Sequence, residues 1–211
     1  MLENYKKHVA ERAEQNIPPL PLDADQTSEL IELLKKDHQE SDFLLDLLKE
    51  RVPAGVDQAA YVKAAFLADI TTGKASSPYI TKIDAVKILG TMLGGYNIQP
   101  LIECLKDNEL AETAAHVLSR TLLIFDAFNE IFELSKTNEH AKKVVEEWAN
   151  ATWFTEKTDI EEQIKLTVYK VTGEINTDDL SPAPDAWSRP DIPLHALAMF
   201  KMPRTGLDDP L

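Results

Sequence analysis

The residues best suited to chemistry lie near the C-terminal end of this 211-residue chain, where Arg189 stands in a proline-rich stretch. The surrounding prolines are Pro182, Pro184, Pro190 and Pro193. Each proline fixes φ and removes a backbone donor, so the stretch favours a rigid, irregular loop over a helix or a central strand. A guanidinium held in one orientation suits bidentate binding of a carboxylate or a phosphate. Arg189 is therefore the leading candidate for ligand binding, and a proline-rich surface connection with an incidental arginine is the alternative.

The other polar residues of this region give weaker signals. Asp178 and Asp179 could act as acid and base, but adjacent carboxylates point in different directions, so solvation or capping of a turn is the expected role. Ser181 has no histidine at motif spacing, and His195 is expected to be a structural hydrogen-bonding residue. The remaining histidines have no metal-ligand spacing: His8, His38, His116 and His140. We therefore predict no catalytic residue and no metal ligand in this segment.

Cysteine content and charge restrict the classes of site and partner. Cys104 is the only cysteine, so the chain can form no internal disulfide and cannot hold an iron–sulfur cluster by itself. The apolar neighbours Leu101, Ile102 and Leu105 predict that this thiol is buried. Lysine and arginine number 22 against 36 aspartates and glutamates, and the net charge of −14 repels nucleic acid and anionic membranes at long range.

The sequence contains no signal for a membrane. No apolar run approaches the length that a helix needs to span a bilayer. The first residues, MLENYKKHVAERAEQ, are charged where a signal peptide would be hydrophobic. We therefore expect a cytoplasmic protein with no membrane partner.

Apolar residues recur at helical spacing through most of the chain, and short polar residues mark where helices begin. Asp25 is expected to cap one helix, and Thr81 with Asp84 forms a capping box for another. The Gly94-Gly95 pair is expected to supply the left-handed end of that second helix. Asn97 then opens the next helix.

Helical hairpins recur at spacings of roughly forty residues without an exact repeat, which is typical of a degenerate HEAT-type solenoid. An irregular all-α bundle is the alternative. The period then changes: Ile164, Leu166 and Val168 alternate with more polar residues, which predicts a strand over 164–171. A lone strand needs partners that the remaining residues are too few to supply, so the chain is expected to end inside a second domain.

The run NTDDLSPAPDAWSRPDIPLHA, residues 176–196, resembles the opening of the swivel domain of the bacterial aconitase B family. Residues 2–17, 50–70 and 89–105 resemble the N-terminal helical domain of the same family, so the similarity covers nearly the whole chain. The shorter run TDDLSPA is also similar to the Thr-Asp-His-Ile-Ser-Pro-Ala type run of other aconitases, in which a histidine stands where this chain has Asp179. The chain is therefore identified as an N-terminal segment of a member of this family.

The resemblance implies a mainly α fold class in which residues 1–156 form a HEAT-like helical domain. Residues 157–211 would form the truncated start of the swivel domain, namely the first strand and loop of an incomplete α/β domain. The implied activity is that of an iron–sulfur hydro-lyase of the tricarboxylic acid cycle, an aconitate hydratase. It would interconvert citrate and isocitrate through cis-aconitate and would also dehydrate 2-methylisocitrate.

The resemblance also implies where the site residues lie. Arg189 would correspond to the swivel-domain arginine that holds a substrate carboxylate, and it is the one substrate-binding residue expected here. The ligands of the [4Fe–4S] cluster, and the catalytic serine, would belong to sequence beyond Leu211 in the complete protein. The segment alone is therefore expected to be inactive.

Two roles are implied for the helical domain, namely homodimerisation and the shaping of a path to the active site. Binding of mRNA is also associated with the family, although the acidity of this chain gives no sign of it. The alternative to an aconitase segment is a free-standing helical-repeat module that binds a protein partner without catalysis. A strand and an arginine-bearing loop at the end, in place of a polar capping helix, favour the first interpretation.

Overall fold

The structure, a computed structural model, describes most of the first 156 residues and shorter pieces of the remainder. The described residues are 1–14, 19–121, 124, 127–156, 163–166, 168, 170, 173–182 and 198–199. They form eleven α-helices, which confirms the predicted mainly α class. None of these helices is both long and apolar enough to cross a membrane.

The helices of the described residues follow one another with short connections. In chain order they are α1 (Leu2–Ala13), α2 (Ala24–Leu34), α3 (Ser41–Asp46), α4 (Gln58–Thr72), α5 (Lys82–Leu89), α6 (Ile98–Cys104), α7 (Ala111–Leu118), α8 (Phe128–Leu134), α9 (Glu139–Ala149), α10 (Thr152–Thr155) and α11 (Thr177–Leu180). A π-helical segment, Leu47–Arg51, continues α3.

The chain divides into two compact units. One comprises Met1–Pro21 and Asp159–Leu211, and the other comprises Leu22–Thr158. Helices α1 and α11 lie in the first unit, and α2 to α10 lie in the second. The assignment of residues 1–156 and 157–211 to two functional domains is a different division and stays a prediction.

Hydrogen bonds join helix α1 to the segment that follows it. The Tyr5 hydroxyl donates to the Leu20 carbonyl oxygen at 3.1 Å, and the Leu20 amide donates to His8 Nε2 at 3.0 Å. Tyr5 is buried. Tyr5 therefore anchors α1 to the segment that follows it.

In the second unit, helices α2 to α9 bury apolar side chains against near neighbours in the chain. Helix α4 packs against α2 and α5, α7 packs against α5, α6 and α9, and α9 packs against α8 and α10. Leucines with no exposed surface come from six of these helices: Leu30, Leu34, Leu44, Leu67, Leu89, Leu101 and Leu118. The burial of each leucine side chain stabilises the folded chain by about 2 kcal/mol.

One of the two predicted helix caps is confirmed and the other is wrong. Thr81 Oγ1 accepts from the Asp84 amide and Asp84 Oδ2 accepts from the Thr81 amide, each at 3.1 Å. Hydrogen bonds from Thr81 lower the pKa of the Asp84 carboxyl. Helix α2 is capped by Asp23, whose Oδ1 accepts from the Gln26 amide at 2.8 Å. Asp25 lies in the first turn instead, because only Asp23 is followed three residues later by a glutamine that returns the bond.

Asn97 begins α6, as predicted, but its side chain caps the preceding helix. Nδ2 donates to the carbonyl oxygens of Leu89 at 2.8 Å and Met92 at 3.0 Å, which lie at and just after the end of α5. Asn97 is fully buried, and its Oδ1 has no hydrogen-bond partner among the described residues. One buried side chain therefore ends α5 and fixes the turn into α6, because buried backbone carbonyls need donors.

The predicted left-handed end at the Gly94-Gly95 pair is only partly right. Helix α5 ends at Leu89, and of the two glycines only Gly95 is left-handed, with φ of +92°. Gly94 meets a different requirement, since a Cβ there would lie 1.9 Å from the Gly55 carbonyl oxygen. A backbone hydrogen bond of 2.7 Å joins the same two loops. The loop before α4 and the loop after α5 therefore touch through their backbones.

The strand predicted over 164–171 is absent from the residues of that range that the structure describes, which are 164–166, 168 and 170. Ile164, Leu166 and Val168 are 60%, 74% and 84% exposed. An alternating pattern forms a strand only when a second strand satisfies its backbone edges. The described residues contain no ladder that could supply one.

Lys63, on α4, is fully buried in the second unit. Its Nζ donates to the Lys49 carbonyl oxygen at 3.4 Å, within the π-helical segment. Burial lowers the pKa of Lys63 to about 8, although the Glu50 carboxylate opposes this shift. A charged ammonium is costly in such a position, and a hydrogen bond of 3.4 Å is a weak compensation.

Gly94→Ala is expected to destabilise the chain by about 3 kcal/mol, because the new methyl group would overlap backbone atoms of the facing loop. Gly55→Ala is the matched control, since the atom nearest to a Cβ at that position is Asp57 Oδ2 at 3.7 Å. Urea unfolding followed by circular dichroism gives both free energies of unfolding. Equal losses in the two variants would contradict the close approach of the loops.

Lys63→Met is expected to change how stability depends on pH. Unfolding restores the ordinary pKa of 10.5, so between pH 8 and 10.5 the unfolded state binds more protons than the folded state. Through this lysine the free energy of unfolding rises with pH across that window, by about 3 kcal/mol in total. The variant lacks this rise, so it should be more stable than the parent chain at pH 7, and the difference should shrink towards pH 10.5.

Urea unfolding at a series of pH values measures this difference. Lys87→Met is the control, because Lys87 is exposed on α5. A stability gap between Lys63→Met and the parent chain that stays constant from pH 8 to 10.5 would show that Lys63 does not titrate in this window.

Candidate functional site

Arg189, the leading candidate, lies outside the described residues, together with Trp187, Ser188 and His195. Its assignment as a substrate-binding residue therefore stays a prediction. The part of the candidate site that the structure describes is the segment immediately before it, residues 173–182. This segment carries the two adjacent aspartates and the serine of the candidate region.

The short helix α11 organises this segment. Asn176 is its N-cap, and Asn176 Oδ1 accepts hydrogen bonds from the amides of Asp178 at 2.9 Å and Asp179 at 3.2 Å. In return, Asp179 Oδ2 accepts from the Asn176 amide at 2.9 Å. The capping role predicted for the aspartates is thus confirmed for Asp179.

The backbone at both ends of the segment defines the turn. Gly173 has φ of +89°, a left-handed conformation that glycine adopts without strain. At the other end, the Ser181 amide donates to the Thr177 carbonyl oxygen at 2.7 Å. Pro182 follows and has no amide hydrogen to donate, so the helix stops there. The chain therefore enters the proline-rich stretch from a fixed turn.

This geometry does not pair the two aspartates for proton transfer. One carboxylate oxygen of Asp179 is held by a backbone amide. Successive residues of a helix also point roughly 100° apart. The first turn of a helix is a common place for carboxylates, because unpaired amides and the helix dipole favour negative charge there. The local helix therefore accounts for the placement of both carboxylates.

The residues of this chain do not fit an iron–sulfur cluster. Cys104 lies on α6 and is buried, as predicted. Burial raises the pKa of its thiol, while a hydrogen bond with Thr71 opposes the shift. A cluster takes several thiolates, and the sequence contains no second cysteine. Within the described ranges, no group of three or more His, Cys, Asp or Glu side chains could hold a metal ion.

An ionic cluster in the second unit has no sequence motif. Arg120, Glu147 and Glu156 come together, although 36 residues separate the first from the last. Rules of periodicity and capping act over a few residues, so they cannot predict such a cluster. The packing of α7 against α9 and of α9 against α10 brings these side chains within reach of one another.

Two family models match successive parts of the chain. One, described as the aconitate B N-terminal domain, matches residues 4–154. The other, described as the aconitate hydratase 2 N-terminus, matches residues 166–209. The first match spans well over half of the chain, and the second contains Arg189.

Three curated relatives agree with these matches. Aconitate hydratase B of Escherichia coli is 60% identical over 210 residues, which are 99% of this chain and 24% of that protein. Aconitate hydratase B of Synechocystis sp. is 57% identical over 208 residues, 96% of this chain and 24% of that protein. The Helicobacter pylori protein of the same name is 50% identical over 202 residues, 95% of this chain and 24% of that protein.

The chain thus spans about a quarter of the length of the curated relatives it matches. Both family models are described as N-terminal regions. They match successive parts of this chain that do not overlap. Identity of 50% or more over nearly the whole chain leaves no doubt about common descent. This chain therefore belongs to the aconitate hydratase B family, and it corresponds to the N-terminal part of the family's proteins.

Proposed function

We propose that this chain is the N-terminal part of an aconitate hydratase that interconverts citrate and isocitrate through cis-aconitate in the tricarboxylic acid cycle. The complete protein would also dehydrate 2-methylisocitrate. The observation that carries this proposal is the pair of family-model matches, a helical domain followed by the start of a second region. Identity of 60% to a protein named aconitate hydratase B supports the same activity.

The second match favours this proposal over a free-standing helical-repeat module that binds a protein partner. Such a module needs a polar capping helix where its helices end. Here the helices of the second unit are instead followed by residues 166–209, which match an aconitate hydratase region. We therefore assign the helical part a supporting role within an enzyme.

Within that enzyme, Arg189 would bind a carboxylate of the substrate. A guanidinium offers two parallel N–H donors to one carboxylate, which both neutralises and orients it. Prolines near Arg189 restrict the backbone, so less backbone entropy is lost when the loop is fixed around a ligand. The fixed turn of α11, just before this stretch, supports such a presentation.

The reacting groups would come from other parts of the complete protein. Cys104 is single and buried, so the cysteines that hold the cluster would lie outside this segment. The catalytic serine would lie outside it as well. This segment would contribute a substrate contact and the architecture around the site, but no group that takes part in bond breaking.

The helical domain would be HEAT-like, would mediate homodimerisation and would shape access to the active site. The serial packing of α2, α4, α5, α7 and α9 supports a repeat-like arrangement, because each helix contacts near neighbours in the chain.

An exposed row of aromatic side chains supports the proposal that the helical domain contacts a second protein chain. Phe128 and Phe132 are 45% and 44% exposed and stack with ring centroids 6.1 Å apart. Trp148 extends the row, 5.9 Å from Phe128, and exposed aromatic rows of this kind are typical of interfaces.

Arg189→Ala in the complete protein is expected to raise KM and lower kcat for citrate, with kcat/KM reduced about 100-fold. A charge-assisted bidentate contact contributes about 3 kcal/mol, and substrate and transition state both use it. Arg189→Lys should recover little, because a lysine cannot reproduce the planar fork. Lys165→Ala is the matched control, at an exposed position of the same C-terminal segment. Steady-state kinetics measures kcat and KM of each variant. Values of both constants that are unchanged in Arg189→Ala would refute the assignment.

The 211-residue chain by itself is expected to form dimers but to interconvert no citrate and isocitrate, even after treatment with iron and sulfide. Light scattering measures the mass, and a coupled assay measures turnover. Phe128→Ser combined with Phe132→Ser should shift the mass towards the monomer. Tyr61→Ser, at another exposed aromatic position, should leave the mass unchanged. Turnover by the isolated chain, or a monomeric parent chain, would contradict the corresponding part of the proposal.

A further inference from the structure

Arg120 follows the C-terminal end of α7 and is surrounded by hydrogen-bond acceptors. Its Nη1 donates to the His116 carbonyl oxygen at 3.1 Å and to Ser119 Oγ at 3.2 Å, and it contacts His116 Nδ1 at 3.1 Å. Its Nη2 is paired with the Glu156 carboxylate. Glu147 Oε2 lies 3.7 Å from Nη1. The guanidinium therefore sits between two carboxylates, one on α9 and one at the end of α10.

The corner that ends at Glu156 is intrinsically weak. Ala151, between α9 and α10, has φ of +50°, a left-handed conformation that a residue other than glycine adopts only at a cost. Helix α10 has four residues, far fewer than a helix needs to be stable by itself. Its hydrogen bonds run from the amides of Phe154 and Thr155 to Ala151 and from the Glu156 amide to Thr152. A contact from outside the corner is needed to keep it formed, and the Arg120–Glu156 pair is such a contact.

Glu147, on α9, is a second carboxylate near the same arginine, and one of its oxygens lacks a hydrogen bond. Its Oε2 is buried and has no hydrogen-bond partner among the described residues. The 3.7 Å separation from Arg120 Nη1 is an ion pair but too long for a hydrogen bond. Lys143 Nζ lies 3.9 Å from the other oxygen. A buried carboxylate oxygen without a donor is costly, so a small movement of the guanidinium towards Glu147 would be favourable there.

We propose that Arg120 is a two-position latch that decides whether the α10 corner is held or released. In the closed position, which the structure describes, the guanidinium pairs with Glu156 and holds the corner. In the open position it turns to Glu147 and gives up the Nη1 hydrogen bonds to the His116 carbonyl oxygen and Ser119 Oγ. It then supplies the missing hydrogen bond of the buried Glu147 oxygen and frees Glu156. The corner lies at the end of the region that matches the first family model, so the latch controls how firmly the chain is held where it leaves the helical part.

The two positions respond differently to salt. The side chain of Glu156 is 60% exposed, whereas that of Glu147 is 20% exposed. Dissolved ions screen an exposed pair more strongly than a partly buried one. Raising the ionic strength therefore weakens the closed position more than the open one and favours release of the corner.

Hydrogen exchange of the amides of residues 151–156 tests the latch in the 211-residue chain. Glu156→Gln removes the closed position and should raise the exchange rate about two- to fivefold, the effect of losing one partly exposed ion pair. Glu147→Gln removes the competing carboxylate and should lower the rate about twofold. Lys142→Gln, which breaks an exposed 3.8 Å ion pair within α9, is the matched control and should leave the rate unchanged. The amides of α2 are the internal reference for global unfolding.

The sign of the Glu147→Gln effect is decisive. A lower rate supports two competing positions, whereas a higher or unchanged rate would mean that Glu147 does not compete and would overturn the latch. If a variant also changes the exchange rate of the α2 amides, a salt titration of the parent chain tests the latch instead. Between about 0.01 M and about 1 M salt the Debye length falls from about 30 Å to about 3 Å, and the 151–156 rate should rise relative to α2. If the ratio of the 151–156 exchange rate to the α2 exchange rate stays constant over this range of salt, the proposal is overturned.

Discussion

The apolar faces of short helices are buried against one another, and most other features of the described chain depend on that burial. Even α4, with 15 residues, is marginal by itself in water, so its stability comes from its neighbours. Leucines such as Leu67 on α4 and Leu89 on α5, which have no exposed surface, supply that stability. The packing follows the order of the chain, since α4 contacts α2 and α5, and α7 contacts α5 and α9. Every group that the helical part holds in a fixed place relies on this array.

Two buried polar side chains, Asn97 and Lys63, meet one common requirement. Asn97 donates to two carbonyl oxygens at the end of α5, and Lys63 donates to the Lys49 carbonyl oxygen in the π-helical segment. A buried carbonyl needs a donor, and these interior side chains provide one. The cost differs between them: the neutral amide of Asn97 is easily buried, whereas the ammonium of Lys63 loses much of its affinity for a proton.

Two further features lie where the chain leaves its helices. At the end of α10, Glu156 is tied to Arg120, which holds a corner that its own four-residue helix could not maintain. At α11, the reciprocal cap between Asn176 and Asp179 fixes the turn that leads into the prolines around Arg189. Both are local devices that restrict backbone freedom next to a connecting segment.

The sequence by itself determined the mainly α class, the capping box of Thr81 and Asp84, the burial of Cys104 and, through resemblance, the family. These signals depend on residues a few positions apart, where helical periodicity and side-chain caps operate. It also misled at two points, because Asp25 lacks the reciprocal partner that Asp23 has, and the alternating residues from Ile164 onward have no partner strand in the described part. The role of Arg189 still rests on sequence and resemblance alone. Only the tertiary structure decided that Asn97 would cap the helix before it, that Gly94 would meet Gly55, and that Arg120 would lie between Glu147 and Glu156. Each of these contacts joins loops or helices that packing alone brings together, and no pattern of neighbouring residues specifies which helices pack.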